Sequence, residues 1–482
     1  MGGADAGFLY AETAEQPSTT PFIVELRPAP GPDGVVRPLT VDDLRAHVEA
    51  RLDVLPSFRW RVERVPFGLH HPVLVDDPDL DLGHHVRHVA LDDTSDAGIE
   101  AYVAGLATER LDRRHPLWRL VLVDGVHDGR QVLVLLLHHA IIDGTACRTI
   151  LRRLLTDLDP AEAAAVRAAE PFRPAPVRRW PLLVDGVRAL LASLALLPGL
   201  LWRARRRAAA ADARRAQAPV RVPRQADTPV TRLNDAFSDR RRLARRQVPL
   251  AAVRQVKDAA GATVNEVFLA MAAGGLRERL AATGDLPAAP LTVNVPVAAE
   301  PPHPPGTPDR QWGNHFSNYL SSLATDVADP VDRLRTIGEV AREGRAQLDV
   351  LEPTTVVGLL DQLPGFVAEP GARWLAAQTR EHRAEQADHS VLLSNVRGSD
   401  ERFAFTGPHG RVEVPRLTVF GITFAGTGLT LVAWTYGDAV ELSALSHAEA
   451  EPDPAAVLAG MEAALVELGA ALGVEVAEGV GA

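Results

Sequence analysis

Cysteine and lysine are almost missing from this sequence of 482 residues. The single cysteine, Cys147, rules out a disulfide framework and fits a reducing compartment. Only one of the 51 basic residues is a lysine, Lys257, and this bias is more typical of GC-rich coding than of a function. The formal net charge of −11, with 46% apolar and 23% charged residues, is typical of a soluble globular protein.

The sequence also lacks a secretory signal and an uninterrupted membrane-spanning run. Its opening, "MGGADAGFLYAE", has neither a basic start nor an apolar stretch, so no signal peptide is expected. The longest apolar segment, 182–207, contains Asp185, Arg188 and Pro198, which argue against a spanning helix of about 20 apolar residues. Trp202 and the arginines at its edge fit a helix that lies on an anionic membrane, and a helix packed between two domains fits equally well.

Basic residues are concentrated in the middle of the chain, where the stretch from Arg173 to Arg246 has eighteen arginines and five aspartates. Apolar leucines adjoin these arginines and aromatic residues are not interleaved with them, so nucleic-acid binding is not expected. At this length we predict two domains. A first half at 1–172 is followed by an Arg/Pro-rich linker with an apolar helix at 173–226 and a second half at 227–482.

Both halves mix strand-like and helical patterns, which predicts an α/β fold with mixed sheets and two related domains that face one another. In the first half, 118–139 is typical of a hairpin that ends in a buried strand. In the second half, Thr263 and Glu266 form a capping box, and the last helix is expected to begin at Asp453 and Pro454. Segments that alternate like antiparallel strands lie at 291–297, 315–323, 390–398 and 428–446.

The predicted hairpin ends in "HHAIIDG", residues 138–144. Successive side chains of a strand point in opposite directions, so only one of His138 and His139 can face a given cavity. An imidazole with a pKa of about 6.5 is suited to accept a proton near neutral pH. Asp143 can cap the following helix or hold an arginine, and Gly144 lets a substrate or another backbone pass close by.

Other chemistries fit these residues less well. The two histidines diverge and no further ligand lies nearby in the sequence, so a metal site is not expected. No G-x-S-x-G elbow is present for a nucleophilic serine. Cys147 falls inside an apolar helix, as a core residue does. The pairs His70–His71 and His84–His85 have no comparable context and are interpreted as surface or supporting residues.

The motif HHAIIDG matches the HHxxxDG signature of the superfamily that includes chloramphenicol acetyltransferase and the condensation domains of peptide synthetases. The rest of the chain resembles the bacterial wax ester synthase/diacylglycerol acyltransferase family from end to end. The blocks that carry this resemblance are "DAGFLYAE" (5–12), "HPLWRLVLVDG" (115–125), "ATVNEVFLAMAAGGLRERL" (262–280), "GNHFSNYLSSLATDVADPVDRL" (313–334) and "LSNVRGSDERF" (393–403).

Three positions depart from the family pattern. Glu266 stands where relatives have an aspartate after the asparagine, N-V-R-G-S at 395–399 replaces N-V-P-G-P, and the P-T-D turn begins with Ala324. None of these touches the histidine motif. We therefore expect a working enzyme whose substrate choice can differ from that of its relatives.

The resemblance implies two chloramphenicol acetyltransferase-like domains with the active-site channel between them. It also implies acyl-CoA-dependent esterification of diacylglycerol or of a long-chain alcohol. His139 would be the general base, His138 a shaping residue, Asp143 the partner of an arginine, and Gly144 would leave the channel open. No acyl-enzyme, no metal and no cofactor other than acyl-CoA as substrate are expected.

Two further motifs are carried over from the family as substrate contacts. They are Pro116, Leu117 and Trp118 of the P-L-W block, and the pair Asn265 and Glu266. Asn265 is a candidate donor to the oxyanion, and a residue that makes a local bond at a helix start fits equally well. Trp118 is expected to pack beneath the active strand.

The acyl donor and the acceptor that the resemblance implies are both hydrophobic. We therefore expect a cytoplasmic enzyme that associates peripherally with the inner membrane or lipid droplets, with segment 182–207 as the contact. Two alternatives stay open. One is a condensation-type acyltransferase that uses carrier-bound acyl groups, and the other is an inactive paralogue that binds lipid droplets.

Overall fold

A computed structural model describes residues 1–124, 130–160, 162, 177–300 and 310–476. The strands are β1 (Thr19–Pro28), β2 (Trp60–Glu63), β3 (Val73–Asp76), β4 (Val86–Ala90), β5 (Trp118–Asp124), β6 (Gln131–His138), β7 (Arg241–Pro249), β8 (Thr292–Ala298), β9 (Phe316–Ser322), β10 (Val391–Ser399), β11 (Ala404–Gly407), β12 (Gly410–Val419), β13 (Leu429–Tyr436) and β14 (Ala439–His447). The helices are α1 (Gly3–Ala11), α2 (Val41–Glu49), α3 (Leu82–His85), α4 (Asp96–Leu106), α5 (Gly144–Leu155), α6 (Arg179–Ala216), α7 (Arg232–Asp235), α8 (Leu250–Ala260), α9 (Val264–Thr283), α10 (Pro330–Leu351), α11 (Pro353–Asp361), α12 (Gly365–His382) and α13 (Pro454–Ala471).

The first sheet has the strand order β11-β12-β1-β6-β5-β4. All eight residues of β6 are buried, because both faces of the sheet are covered. Leu133, Leu135 and Leu137 join a core that includes α5. The alternate residues Val134 and Leu136 pack with α4 and with side chains of the second sheet. The predicted hairpin is confirmed, since β5 and β6 pair antiparallel, and its turn at 125–129 lies outside the described residues.

The second sheet has the strand order β7-β14-β13-β10-β8-β9, and helices α9, α10 and α13 pack on it around the largest core. Thr263 and Asp453 cap α9 and α13 as predicted. The prediction of antiparallel strands was wrong for β10, which runs parallel to both β13 and β8. Its near-continuous apolar start, "VLL", is typical of a strand buried between parallel neighbours.

The second half contributes two strands to the sheet of the first half. Strands β11 and β12 follow β10 in the chain but complete the first sheet, where β12 pairs antiparallel with β1. The predicted second half, 227–482, therefore does not correspond to one sheet. The boundary predicted at residue 172 lies outside the described residues.

Helix α6 runs for 38 residues and extends the apolar helix expected at 182–207 at both ends. It does not lie between two domains, because only Gly186, Ser193 and Ala211 are buried. By length and composition alone, α6 and α13 are long and apolar enough to cross a membrane, and a bent pair formed by α8 and α9 would be a third such span. In the 18-residue apolar stretch that makes each helix long enough to span a membrane, half of the α13 residues are buried inside the protein, compared with 11% of the α6 residues.

Candidate active site

The histidine motif lies where β6 ends and α5 begins. His138 is the last residue of β6, residues 139–141 form a single 3₁₀ turn, and Asp143 caps α5. The Asp143 Oδ1 atom accepts a hydrogen bond from the Ala146 backbone N–H at 3.0 Å. The predicted cap is confirmed. The short connection between β6 and α5 holds both histidines at the C-terminal end of β6.

The two imidazoles have different surroundings, as the alternation of a strand requires. His138 is fully buried, whereas His139 is half-buried and lines a cavity of about 430 Å³. The cavity lies between the two halves of the molecule. Its wall is formed by Phe8, Gly144, Cys147 and Arg148 from the first half and by residues of β8, β9, β10 and β13 from the second, with segment 419–424 at one side.

Burial sets the protonation state of His139. Desolvation lowers its pKa to about 4, while its own backbone carbonyl and the charge of Asp143 oppose this shift. The Phe8 ring stacks on the imidazole with 4.3 Å between centroids. His139 is therefore neutral at physiological pH and can accept a proton inside the cavity.

Backbone contacts fix His139 in place. Its N–H donates to the Ser18 carbonyl at 2.8 Å, and its carbonyl accepts from Asn314 Nδ2 at 2.8 Å. Asp5 Oδ1 in turn accepts from the backbone N–H and the side-chain amide of Asn314. Asp5 and Asn314 were not predicted to belong to the site, although they lie in the blocks 5–12 and 313–334 of the family resemblance.

A buried carboxylate supports His138. The His138 Nδ1 atom accepts from the Ala140 N–H at 3.0 Å, so its proton is on Nε2, which lies 3.4 Å from Glu12 Oε1. Burial would raise the pKa of Glu12, but His138, Arg113 and the Ser18 N–H lower it to about 2. Glu12 thus links Ser18, the residue before β1, to His138 at the end of β6, which fits the shaping role expected for His138.

The expected arginine partner of Asp143 is Arg310. The Asp143 Oδ2 atom accepts from Arg310 Nη2 at 2.5 Å and from the His315 backbone N–H at 2.8 Å. Both side chains are largely buried. Asp143 therefore attaches the start of α5 to the segment that leads into β9, and it does not reach across the cavity.

Gly144 lines the cavity where α5 meets β10. A Cβ atom at this position would lie 3.0 Å from Val396 Cγ1. Gly144 was expected to let a substrate or another backbone pass close by. In the structure, the group that comes close to Gly144 is the Val396 side chain of the second half. The departure of residues 395–399 from the family pattern falls on the strand that forms this contact.

Other residues predicted to contact substrate lie elsewhere. Pro116, Leu117 and Trp118 are in the first core and not at the cavity, contrary to expectation. Trp118 packs beneath the active strand as expected, stacks on Phe58 and His85, and donates to the Phe58 carbonyl. The strand register explains this placement, because Trp118 pairs with Leu137 on the face opposite His138.

The pair at the start of α9 is also away from the cavity. Glu266 is buried, accepts from the Thr263 N–H at 2.8 Å and pairs with Arg342 at 2.6 Å. Asn265 reaches the cavity only indirectly, through Asn395, whose Nδ2 lies 3.5 Å from Asn265 Oδ1. Glu266, which is longer than the aspartate of the family pattern, therefore caps the helix and pairs with Arg342, and it does not make a contact across the site.

Several polar groups of the cavity were not predicted. Asn294, Asn318 and Asn395 line it, and so do Arg148 and Arg397. The largely exposed side chain of Arg397 pairs with Asp400. Cys147 also lines the cavity, but burial raises the pKa of its thiol, so it is not a ready nucleophile. The histidines that were interpreted as surface or supporting residues include His71 and His85, and both are buried in the core.

A neutral histidine of an HHxxxDG motif in a cavity between two α/β halves defines an acyltransferase of the chloramphenicol acetyltransferase-like fold. Solved structures share this fold over nearly the whole chain. The trichothecene 15-O-acetyltransferase from Fusarium sporotrichioides has a TM-score of 0.59 at 13% identity and covers 97% of this chain and 94% of its own. The wax ester synthase/diacylglycerol acyltransferase from Marinobacter aquaeolei has a TM-score of 0.61 at 23% identity and covers 98% of both chains.

This chain belongs to the wax ester synthase/diacylglycerol acyltransferase family. Residues 1–268 match the family's catalytic domain and residues 312–469 match its C-terminal domain. A Mycobacterium tuberculosis protein with the provisional name diacylglycerol O-acyltransferase is 31% identical over 98% of this chain and 97% of its own length. Another from the same organism, under the same provisional name, is 29% identical over 99% and 97%.

Proposed function

We propose that this enzyme transfers an acyl group from acyl-CoA to the hydroxyl of diacylglycerol or of a long-chain alcohol, with His139 as the general base. The observation that carries the proposal is the neutral imidazole of His139, held by its backbone on one wall of a cavity that both halves enclose. The family and the provisional names of the mycobacterial relatives support this substrate class.

The reaction needs one proton acceptor and no acyl-enzyme. His139 accepts the hydroxyl proton as the acceptor oxygen attacks the thioester carbonyl carbon. The tetrahedral intermediate then collapses, the C–S bond breaks and the imidazolium returns the proton to the departing thiolate. A base in this position typically contributes about 10²–10⁴-fold to the rate.

Amide side chains supply donors for the oxyanion. Asn294, Asn318 and Asn395 line the same cavity as His139, and we assign the stabilisation of the tetrahedral oxygen to this set. Asn395 also contacts Asn265, so the family's asparagine at the start of α9 acts by orienting Asn395.

Coenzyme A brings phosphates, which guanidinium groups bind well. Arg148 and Arg397 line the cavity on the side where α5 and β10 meet, and we propose that this side receives the coenzyme. Arg397 stands at one of the departures from the family pattern, so its charge can change affinity for acyl-CoA without changing the base.

The substrates also imply a location. We propose a cytoplasmic enzyme that binds peripherally to the inner membrane or to lipid droplets, with segment 182–207 of α6 at the surface. Only three of the 38 residues of α6 are buried, and this exposure supports the proposal.

Thiol release from a panel of acyl-CoAs, offered with 1,2-diacylglycerol or hexadecanol, tests the proposal. Wild-type protein should release thiol and form ester, and His139→Ala should lower turnover by about 10²-fold or more. His88→Ala, on exposed strand β4, is the matched control and should keep wild-type turnover. Wild-type activity in the His139 variant would remove the base from the mechanism, and ester formation from carrier-bound acyl groups alone would favour the condensation-type alternative.

A further inference from the structure

Three neighbouring surface elements expose an unusual number of large apolar side chains. They are the turn Pro66–Gly68, helix α6 and helix α12, and among the described residues they carry twelve of the seventeen large apolar side chains that are exposed. Phe67 is 81% exposed, Trp180 72%, Trp374 65% and Leu375 61%. A soluble surface rarely carries such residues together unless it binds something apolar.

These elements form one continuous surface, which we call the apolar platform. Gly186 of α6 lies against the turn so closely that a Cβ atom would be 2.7 Å from Val65 Cγ1. On the other side, a Cβ on Gly68 would be 2.9 Å from the backbone nitrogen of Phe366 in α12. The turn therefore joins the two helices, and Phe67 projects between them.

The exposed residues follow helical spacing. In α12 they are Phe366, Val367, Pro370, Trp374 and Leu375, of which the first four lie within about 100° of one face of the helix. The exposed large apolar residues of α6 are Trp180, Val187, Leu191, Leu194, Leu196, Leu201 and Trp202. Each helix thus turns an apolar face to the outside, and its other face contacts the protein.

Helix α6 is attached to the protein along its length. Ser193 donates to Gln362 at 3.0 Å, Arg207 pairs with Glu352 at 3.1 Å, and Arg214 pairs with Glu343 at 2.8 Å. The helix therefore lies flat on the molecule, with its apolar face parallel to the protein surface. This orientation suits a helix in the plane of a lipid interface rather than one that crosses it.

Charge identifies the partner. The sequence of α6 contains eight arginines and two aspartates, in a chain with a net charge of −11. Exposed tryptophans at both ends of its apolar run, Trp180 and Trp202, are the side chains preferred at the boundary between hydrocarbon and headgroups. An anionic phospholipid surface matches both features.

The backbone of the turn adds an independent observation. Phe67 has a φ of 57°, a left-handed conformation that is costly for a residue with a Cβ, and Gly68 follows at 63°. Strained backbone of this kind is retained where a function needs the side chain in that place. Here the strain holds a phenyl ring out into solvent.

We propose that the whole apolar platform docks on an anionic phospholipid surface, and that α12 brings the lipid acceptor to the cavity. The second part rests on the proposed function. Near its C-terminal end, Thr379 of α12 lies 3.2 Å from the position of a Cβ on Gly426, next to Phe424 in the cavity wall. Helix α1, whose Phe8 stacks on His139, also packs on α12. The platform and the general base are thus adjacent parts of one structure.

Flotation of the full chain with vesicles tests the docking. Wild-type protein should bind phosphatidylcholine vesicles that contain phosphatidylglycerol, and less so pure phosphatidylcholine or vesicles at high salt. Phe366→Asp/Trp374→Asp, which leaves α6 intact, should weaken binding about tenfold or more. The control Val35→Asp/Val36→Asp changes exposed apolar residues outside the platform and should bind like wild type. Unchanged binding of the α12 variant, or an equal loss in the control, would overturn the proposal.

Fluorescence of the unaltered protein gives a test that does not depend on a variant's folding. Brominated phospholipids should quench the wild-type tryptophan emission, because Trp180, Trp202 and Trp374 lie in the platform, and an absence of quenching counts against it. Thiol release with a short acyl-CoA and a water-soluble alcohol should be the same, within about twofold, for wild type and the α12 variant, whereas turnover of vesicle-borne diacylglycerol should fall with binding. If wild type releases no thiol from any donor, the proposed function fails, and flotation still decides on the platform.

Discussion

The side-chain amide of Asn314 donates a hydrogen bond to the backbone carbonyl of His139, 2.8 Å away, across 175 residues of sequence. Asp5 fixes that amide from a third part of the chain. His139, the proposed general base, is therefore positioned by the N-terminal helix, the strand β6 and the segment before β9 together. Its orientation depends on the assembly of both halves.

Asn314→Ala should lower kcat about tenfold and leave KM for acyl-CoA nearly unchanged, because it frees the base without altering the cavity wall. It also leaves the buried Asp5 carboxylate with one donor fewer, at a cost of about 1–3 kcal/mol. Thiol release and thermal unfolding measure the two effects. Full kcat in a destabilised variant would show that the Asn314 contact serves stability alone.

The pH dependence of kcat/KM should report a base with a lowered pKa. His139 must be neutral to accept a proton, and burial lowers its pKa to about 4. Activity should therefore stay constant as the pH falls from about 8 to about 5.5, and decline toward about 4. A midpoint near the ordinary histidine value of about 6.5 would mean that the ring is solvated in the working enzyme.

Acid should also destabilise the fold. Burial lowers the pKa values of five histidines, each to about 4. They are His47, His85, His139, His389 and His447. The unfolded chain binds protons on these rings near pH 6.5 and the folded chain does not, so stability is complete above that pH and is lost as the pH falls toward 4. For a ring as buried as His85 the loss is about 3 kcal/mol. Denaturant unfolding at several pH values measures it, and His85→Gln should lessen the slope.

The Asp143–Arg310 pair should matter for stability and for the site together. Asp143→Asn keeps an oxygen to cap α5 but weakens the contact with Arg310 and the His315 N–H, and Arg310→Met leaves a buried carboxylate unpaired. We expect about 3 kcal/mol of destabilisation for Arg310→Met, because a buried charge loses its partner. Thermal unfolding checks the loss. If Asp143→Asn loses activity with no change in unfolding temperature, the carboxylate has a role in the reaction itself.

A double-mutant cycle tests the contact between the halves at the cavity. Gly144→Ala places a Cβ 3.0 Å from Val396 Cγ1 and should cost about 1–2 kcal/mol or a matching loss of turnover. Val396→Ala in the same chain should restore most of it, and Gly144→Val should not be rescued. Additive effects of the two alanine changes would show that the residues do not touch in solution.

The local elements could be predicted from the sequence because their causes are local. A short apolar run between turn residues identified β6, and the side chains of Thr263 and Asp453 identified helix starts. The direction of β10 could not be predicted in this way, since it depends on which strands flank it. Nor could the membership of β12 in the first sheet, because pairing with β1 joins residues that are about 390 positions apart in the chain.

The residues of the site divide in the same way, into those that the local sequence identifies and those that only the tertiary structure brings together. The motif predicted that only one of the two imidazoles faces a cavity and that Asp143 caps a helix or holds an arginine, and the family resemblance assigned the role of base to His139. The identity of that partner, Arg310, and the contacts of Asp5 and Asn314 depend on tertiary structure, and the resemblance indicated only that these blocks were present. The P-L-W block was predicted to contact substrate but lies in the core, and the reason is physical. Trp118 pairs with Leu137 in the sheet, and its ring belongs to the core beneath the strand.

The completion of the first sheet by strands of the second half also affects how the protein is made. On the ribosome, β1 and β6 are synthesised early, but β12, which pairs with the free edge of β1, emerges only after residue 419. At about 5–20 residues per second, this edge stays open for tens of seconds. An unpaired strand edge is a template for aggregation. The nascent enzyme should therefore depend on a chaperone, and truncation before residue 404 should yield insoluble protein.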